Sequence, residues 1–244
     1  MIALFIPCLV DQFYPEIGES VADILEKLGL EIDYPEAQTC CGLPFFNMGQ
    51  WEAAERPARH FLDVFEGFEA IVTPSSSCAA MVKHYYPRLF EKDGAALERA
   101  LAIGARTHEL TQYLVNVLKR DDLGAKFEGS VACHRSCHLR ELDAADEADR
   151  LIRNVEGARF IDLPRADVCC GFGGAFSIKF PVLSGAMGDG KCETFDDCGA
   201  DCVVTTDAGC MLQINGALHR RGSRRRVRHL AELLAGRIQP GDER

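Results

Sequence analysis

No stretch of this chain approaches the roughly 18 to 20 consecutive apolar residues that a bilayer crossing needs, and its charged residues, 26% of the total, are spread along the whole length. The apolar start, Met1-Ile2-Ala3-Leu4-Phe5-Ile6-Pro7-Cys8, is short and has neither a basic lead-in nor a small-residue cleavage site. It reads as a buried first strand, not an export signal. Positive charge is scarce: 27 Lys and Arg stand against 37 Asp and Glu, giving a net charge of −10, and no basic-aromatic interleaving marks a nucleic-acid surface. The exception is Arg220, Arg221, Arg224, Arg225, Arg226 and Arg228, a cluster that reads first as a solvated helix end and loop and second as a dock for an acidic partner subunit or an anionic substrate. There is no nucleophile-elbow serine, paired-carboxylate frame or P-loop, so nothing points to a hydrolase or phosphotransferase. The ferredoxin run C-x2-C-x2-C-x3-C-P is also missing. A soluble, cytoplasmic protein is expected, and in a reducing compartment its 12 cysteines favour metal ligation over disulfides.

Those cysteines form two frames of one shape. Cys8 is followed by 31 residues and then Cys40-Cys41-Gly42; Cys137 is followed by 31 residues and then Cys169-Cys170-Gly171. Each frame closes with a further cysteine, Cys78 after 35 residues and Cys210 after 38. A single pair would pass as small buried hydrophobes, but two matched frames argue for a duplicated four-thiolate site. Adjacent cysteines on a straight strand point to opposite faces, so each pair needs a turn. The glycine behind it permits positive φ and lets backbone N–H groups approach a negatively charged centre, as thiolate-bound clusters require.

The pattern along the chain alternates strand and helix in both halves. Ile2–Pro7, Leu30–Tyr34 and Ala70–Thr73 read as strands of the first half, with helices over Pro15–Gly29 and Trp51–Phe65 and another opening at Cys78. In the second half Ser130–Ala132, Arg159–Leu163 and Cys202–Thr206 read as strands, with helices over Ala144–Asn154, Val182–Phe195 and Gly209–Arg220. Helices near Ala95–Ala102 and Glu109–Lys119 lie in a joining segment from Leu89 to Asp122. The expected fold is α/β with two pseudo-repeated halves, residues 1–122 and 123–244, each a small, mostly parallel sheet flanked by helices. The cysteines then fall at carboxyl ends of strands and at helix N-termini, where ligands of open α/β sheets bind.

The doubled C-x31-CCG pattern, with Pro74-Ser75-Ser76-Ser77-Cys78 in one half and Asp207-Ala208-Gly209-Cys210-Met211 in the other, resembles the cysteine-rich CCG domains of the heterodisulfide reductases, shared by glycolate oxidase iron–sulfur subunits. Within that group the chain is most similar to the lactate utilization protein A (LutA/YkgE) family, because it is two CCG units with no attached ferredoxin domain. The local matches are Ser136-Cys137-His138, Cys169-Cys170-Gly171-Phe172-Gly173-Gly174, Phe176–Phe180 with Ser184-Gly185-Ala186-Met187, and His229-Leu230-Ala231-Glu232-Leu233. The resemblance implies an iron–sulfur protein that works with companion subunits resembling LutB and LutC in oxidising L-lactate to pyruvate. Its implied ligands are Cys8, Cys40, Cys41 and Cys78, and Cys137, Cys169, Cys170 and Cys210, holding one or two clusters of 4Fe–4S type, with zinc open at one site. The chain departs from the family pattern at Ser75 and Asp207, which stand where a fifth cysteine would precede Cys78 and Cys210. That argues against a five-cysteine noncubane cluster and leaves a four-ligand cluster, an oxygen ligand or zinc; helix capping is the competing role for both residues.

Cys133 reads as core, and Cys192, Cys198 and Cys202 are given no role. His134 and His138 flank the second frame, where histidines more often support ligands than replace them, and neither is assigned. Cys133-His134-Arg135-Ser136-Cys137-His138 has one residue too many for haem attachment, and Gly171-Phe172-Gly173-Gly174 lacks the strand–turn–helix setting of a dinucleotide loop. Three functions stay open: an electron relay within a lactate-oxidising complex, a catalytic disulfide-reductase-type protein, and a zinc-stabilised interaction protein.

Overall fold

A computed structural model describes residues 1–241; residues 242–244, the end of the second expected unit, lie outside the described residues. Two four-stranded, all-parallel sheets carry the fold. The first contains β1 (Ile2–Leu4), β2 (Ile32–Asp33), β3 (Ala70–Thr73) and β4 (Thr107–Glu109); the second contains β5 (Lys126–His134), β6 (Glu156–Phe160), β7 (Cys202–Thr205) and β8 (Val227–His229). Their spatial orders, β2-β1-β3-β4 and β6-β5-β7-β8, are the same. The pseudo-repeat in the sequence is therefore a repeat of topology.

Parallel neighbours need crossovers, and the helices supply them. The amphipathic Pro15–Lys27 helix buries Ile17, Val21, Ile24 and Leu25; Gly29, just past its end, has φ +77°. Trp51–Phe65 is helical throughout, despite Pro57 inside it. Ala145–Arg153, Pro181–Cys198 and Ala208–Arg220 are the long helices of the second half. Two edge strands, β4 and β8, add to the expected set: Thr107-His108-Glu109 and Val227-Arg228-His229 are too short and too polar to show a strand period. The Leu89–Asp122 segment accordingly is more than a joiner, since β4 pairs with β3 along Ile71↔Thr107 to Thr73↔Glu109. β5 extends beyond the expected Ser130–Ala132 in both directions, and β6 runs Glu156–Phe160 instead of Arg159–Leu163.

Alternation along the first strand sends Ile2, Leu4 and Ile6 into one core and Ala3 and Phe5 into another on the opposite face. The first of these cores continues into the second half through Val131, Val204 and Leu234. The halves also exchange helices. Leu230–Leu234, at the end of the second half, packs on Pro15–Lys27 of the first, and Leu110–Gln112, near the end of the first, packs on Ala145–Arg153 of the second. Polar contacts follow the same exchange: Arg237 reaches Glu19 at 2.7 Å and Asp23 at 2.6 Å, and Asn116 Nδ2 donates to Glu147 at 2.7 Å. This reciprocal packing turns the carboxyl ends of both sheets toward one another.

Candidate metal centre

Each frame cysteine is placed by a local device that its neighbours dictate. Cys8 opens the Cys8–Phe13 helix behind Pro7, and Cys137 opens Cys137–Glu141 behind Ser136, whose Oγ accepts the N–H of Leu139. Cys78 and Cys210 lie one turn inside helices capped by Ser75 and Asp207: Ser75 Oγ accepts from the Cys78 N–H, and Asp207 Oδ1 accepts from the Gly209 N–H. The two CysCys pairs sit in the loops ahead of Leu43–Asn47 and Ala175–Lys179. Gly42 and Gly171 turn the chain at φ +87° and +85°. A Cβ on Gly42 would meet Ala54 O at 3.1 Å, and one on Gly171 would meet Ser184 O at 2.8 Å, so each glycine also admits the following long helix.

Within each half the inner cysteine of the pair meets the closing one: Cys41 Sγ donates to Cys78 Sγ at 3.4 Å and Cys170 Sγ to Cys210 Sγ at 2.9 Å, with Cys8 and Cys40, and Cys137 and Cys169, beside them on the wall of one cavity. All are free thiols. The N–H of Gly42 donates to Cys40 Sγ and that of Gly171 to Cys169 Sγ, both at 3.4 Å. Hydrogen bonds from Cys41 and Cys8 hold Cys40 well below the ordinary thiol range, and those from Cys137 and Cys170 do the same for Cys169. Their partners Cys8 and Cys137 are pushed up, first by the hydrogen bond each gives away and then by burial. Each set thus gathers four thiol donors with a backbone N–H among them. Four such donors suit a borderline or soft metal, whose binding displaces the remaining protons.

The two sets face one cavity of about 210 Å³, which all eight frame cysteines line together with Ser75, Ser77, Ser136, His138 and Asp207. Cys8 and Cys137 are exposed at it, while Cys41, Cys78, Cys170 and Cys210 are buried. The wall between the sets is a hydrogen-bonded seam centred on Asp207. Its Oδ2 accepts from the Ser77 N–H at 3.0 Å and from the hydroxyls of Ser75 and Ser76 at 3.3 Å each. Ser76 Oγ also meets Ser136 Oγ at 2.6 Å. One carboxylate therefore ends helices of both halves, and capping is what the geometry gives Ser75 and Asp207. Nearby, His229 accepts the Ala231 N–H at Nδ1 and donates from Nε2 to Pro74 O of the other half, each at 3.1 Å.

The cysteines outside the frames and the flanking charged residues divide. Cys133, Cys192 and Cys202 are buried in the apolar core, where burial raises the thiols of Cys133 and Cys192. Cys198 ends the Pro181–Cys198 helix and donates to Phe195 O. The arginine cluster turns inward on its own chain: Arg221 and Arg225 both reach Asp196, and Arg220 reaches Asp189. Lys191 carries no signal in the sequence. It is fully buried and its Nζ donates to Arg165 O and Ala166 O, fastening the loop ahead of Cys169. His60 does the equivalent at Ala37 O, 2.6 Å away, ahead of Cys40. His138 lies beside Cys137, with Nδ1 3.6 Å from Sγ. His134 is buried with Cys170 and Cys210; burial lowers its pKa to about 3, so the ring is neutral.

The CCG cysteine-rich domain family matches residues 2–83 and again residues 131–215. Lactate utilization protein A of Geobacillus sp. is 44% identical over 237 residues, 97% of this chain and 99% of that protein. Lactate utilization protein A of Bacillus cytotoxicus is 43% identical with the same coverage. Among solved structures, a putative Asp/Glu racemase from Yersinia pestis aligns with a TM-score of 0.39 at 12% identity, covering 97% of this chain and 96% of that one, a distant likeness that carries no argument.

Proposed function

The chain belongs to the CCG cysteine-rich domain family, within it to that of lactate utilization protein A, and from that premise we propose that it is the iron–sulfur electron-transfer subunit of a complex oxidising L-lactate to pyruvate. Lactate loses two electrons and two protons in that conversion, and the chain has no hydride-accepting cofactor loop of its own. Substrate oxidation therefore falls to companion subunits resembling LutB and LutC. The observation that carries the reading is the pairing of two four-cysteine sets across one cavity. Cys8, Cys40, Cys41 and Cys78 would hold one centre, and Cys137, Cys169, Cys170 and Cys210 the other. A thiolate-bound iron–sulfur cluster supplies electron transfer at a potential set by charge, hydrogen bonding and exposure. The chain's own part is to fix those three. The Gly42 and Gly171 N–H groups offset thiolate charge, and the Asp207 seam fixes the helices that carry Cys78 and Cys210. Burial of Cys41, Cys78, Cys170 and Cys210 shields each set from solvent on one side, while Cys8 and Cys137 leave the other side open.

The test is the visible spectrum of anaerobically purified protein before and after dithionite. A brown protein that bleaches is the expected result. A colourless protein containing zinc, never having met air, would overturn the relay in favour of a structural role. The open cavity also favours a second reading, in which a small disulfide enters between the sets and accepts two electrons and two protons to leave as two thiols. Reoxidation of the dithionite-reduced protein by a small disulfide, with release of its thiols, would select that reading.

A further inference from the structure

From Val168 to Gly188 the only charged side chain is Lys179, and from Gln38 to Trp51 there is none, in a chain where 26% of residues are charged. Stretches so poor in charge are ordinarily core. Here part of them lies on the surface. Ile178, Phe180, Val182 and Leu183 are 81%, 56%, 86% and 55% exposed, within a run, 178–183, in which every residue is exposed. The Pro181–Cys198 helix begins with its polarity reversed: Ser184 and Gly188 are buried while Val182 and Leu183 face outward, the opposite of an ordinary surface helix. Hydrogen bonds hold it that way. Ser184 Oγ donates to Gly171 O at 2.8 Å, and Gln213 Nε2 donates to Ser184 O and Oγ at 3.0 and 2.9 Å, so rotating the helix to bury Val182 would break all three.

The same two stretches wall the cavity. Phe172, Gly173 and Gly174 line it from one half and Leu43, Pro44 and Asn47 from the other, and they meet: a Cβ on Gly174 would stand 3.9 Å from Pro44 Cβ. Phe45, next to Pro44, is also exposed. A surface that is apolar, aromatic and almost free of charge has the composition of an interface core, and this one adjoins the side on which Cys8 and Cys137 are exposed. Its charge says what covers it. Lys179 forms no ion pair among the described residues, exposed Arg140 reaches only Asp167 O just ahead of Val168, and neither stretch holds a carboxylate. A second copy docked on a two-fold axis would set this patch against itself, bringing Lys179 toward Lys179 with no acid to answer it. Anionic lipid would have to approach a chain of net charge −10. We infer that the 176–183 surface, with Phe45 beside it, is the docking face for a companion subunit, which meets it with an apolar surface carrying a carboxylate for Lys179. This inference rests on the relay reading above and assigns one face of the chain to the complex which that reading requires.

The full chain, purified anaerobically, is titrated calorimetrically with each purified companion subunit resembling LutB or LutC, at low and at high salt. One of them is expected to bind, and Val182→Glu and Phe180→Glu each to weaken that binding at least ~10-fold, with native circular dichroism and unchanged iron content. Lys179→Gln should reduce the salt dependence of binding. Leu101→Glu, as exposed as Leu183 but on a helix that does not line the cavity, should leave binding as it was. Hydrogen exchange on the unmodified chain decides the case if a variant misfolds: the companion should slow exchange across 175–187. Unaltered affinity in both glutamate variants, with protection elsewhere, overturns the docking face and leaves the complex standing. Failure of the unmodified chain to bind either companion, in protein that is brown and bleaches with dithionite, overturns the docking face and the complex together and leaves the clusters. Self-association abolished by Val182→Glu, or sedimentation of the chain with phosphatidylglycerol vesicles, gives the patch to a second copy or to a membrane and overturns the inference.

Discussion

Cys41 and Cys170 are the buried inner members of their pairs, each hydrogen-bonded to the closing cysteine of its set. Serine at either position is expected to remove about half of the visible absorbance while far-UV circular dichroism stays native; undiminished colour in both variants would count against thiolate-bound clusters. Cys198→Ser is the control, since that thiol donates to a carbonyl of its own helix and lies outside both sets, and iron content should be unchanged. Glu109 makes a separate prediction. It is fully buried, Oε2 accepts from Thr111, and Oε1 has no partner. Burial raises its pKa from 4.5 to about 7. Between those values the folded chain holds a proton that the unfolded chain has released, so stability is fully present below pH 4.5 and is lost as pH rises through about 7. Glu109→Gln removes that loss and should stabilise the protein at pH 8 by on the order of 2–3 kcal/mol with little change at pH 4.5. Parallel pH–stability curves for the two proteins would refute it.

At the scale of elements, the seam between the halves depends on one side chain. Asp207 caps the Ala208–Arg220 helix and receives the Ser77 N–H at the start of Ser76–Ala80. Asp207→Ala unmatches donors on both helices and should cost about 2–4 kcal/mol, or roughly 5–15 °C in Tm for a chain of this size. Asp207→Asn, which keeps the Oδ1 acceptor for Gly209, should recover part of that; equal losses would mean that the carboxylate charge, not the cap, is what the seam needs. The glycine turns make a companion case. Gly171→Ala places a methyl 2.7 Å from Met187 Cβ at φ +85°, a strained backbone compounded by overpacking, each costing about 1–3 kcal/mol. The Cys169–Cys170 loop would shift with it, so metal content should fall along with Tm.

For the whole molecule, both cysteine sets line the cavity between the halves, so a metal bound there would couple to the junction of the halves. A group that binds only the folded chain stabilises it by mass action. Removing metal with a chelator under reducing, anaerobic conditions should therefore lower Tm by several degrees without loss of helix, and returning metal should restore it. An unchanged Tm would show that the cysteine sets contribute nothing to holding the halves. The net charge of −10 is spread over the outside, while the arginines of 220–228 are largely spent on Asp189, Asp196 and Glu232.

The two frames were legible because covalent spacing and glycine are local. Thirty-one residues before CCG, repeated, specify one strand–helix–strand unit twice, and the long helices show because Pro15–Lys27 and Trp51–Phe65 bury regular apolar faces. The edge strands β4 and β8 were not legible, since three residues with so little apolar pattern form a strand only when β3 or β7 is there to pair with. That His134 stands where the first half has Phe5 could be read from the sequence by aligning the frames, but its burial beside Cys170 and Cys210 could not. Nor could the single cavity, because it depends on how each half's last helix packs on the other half, and that choice is made by surfaces distant in sequence. Sequence alone determined that there are two four-thiol sets; tertiary packing decided that they face one another across a shared seam.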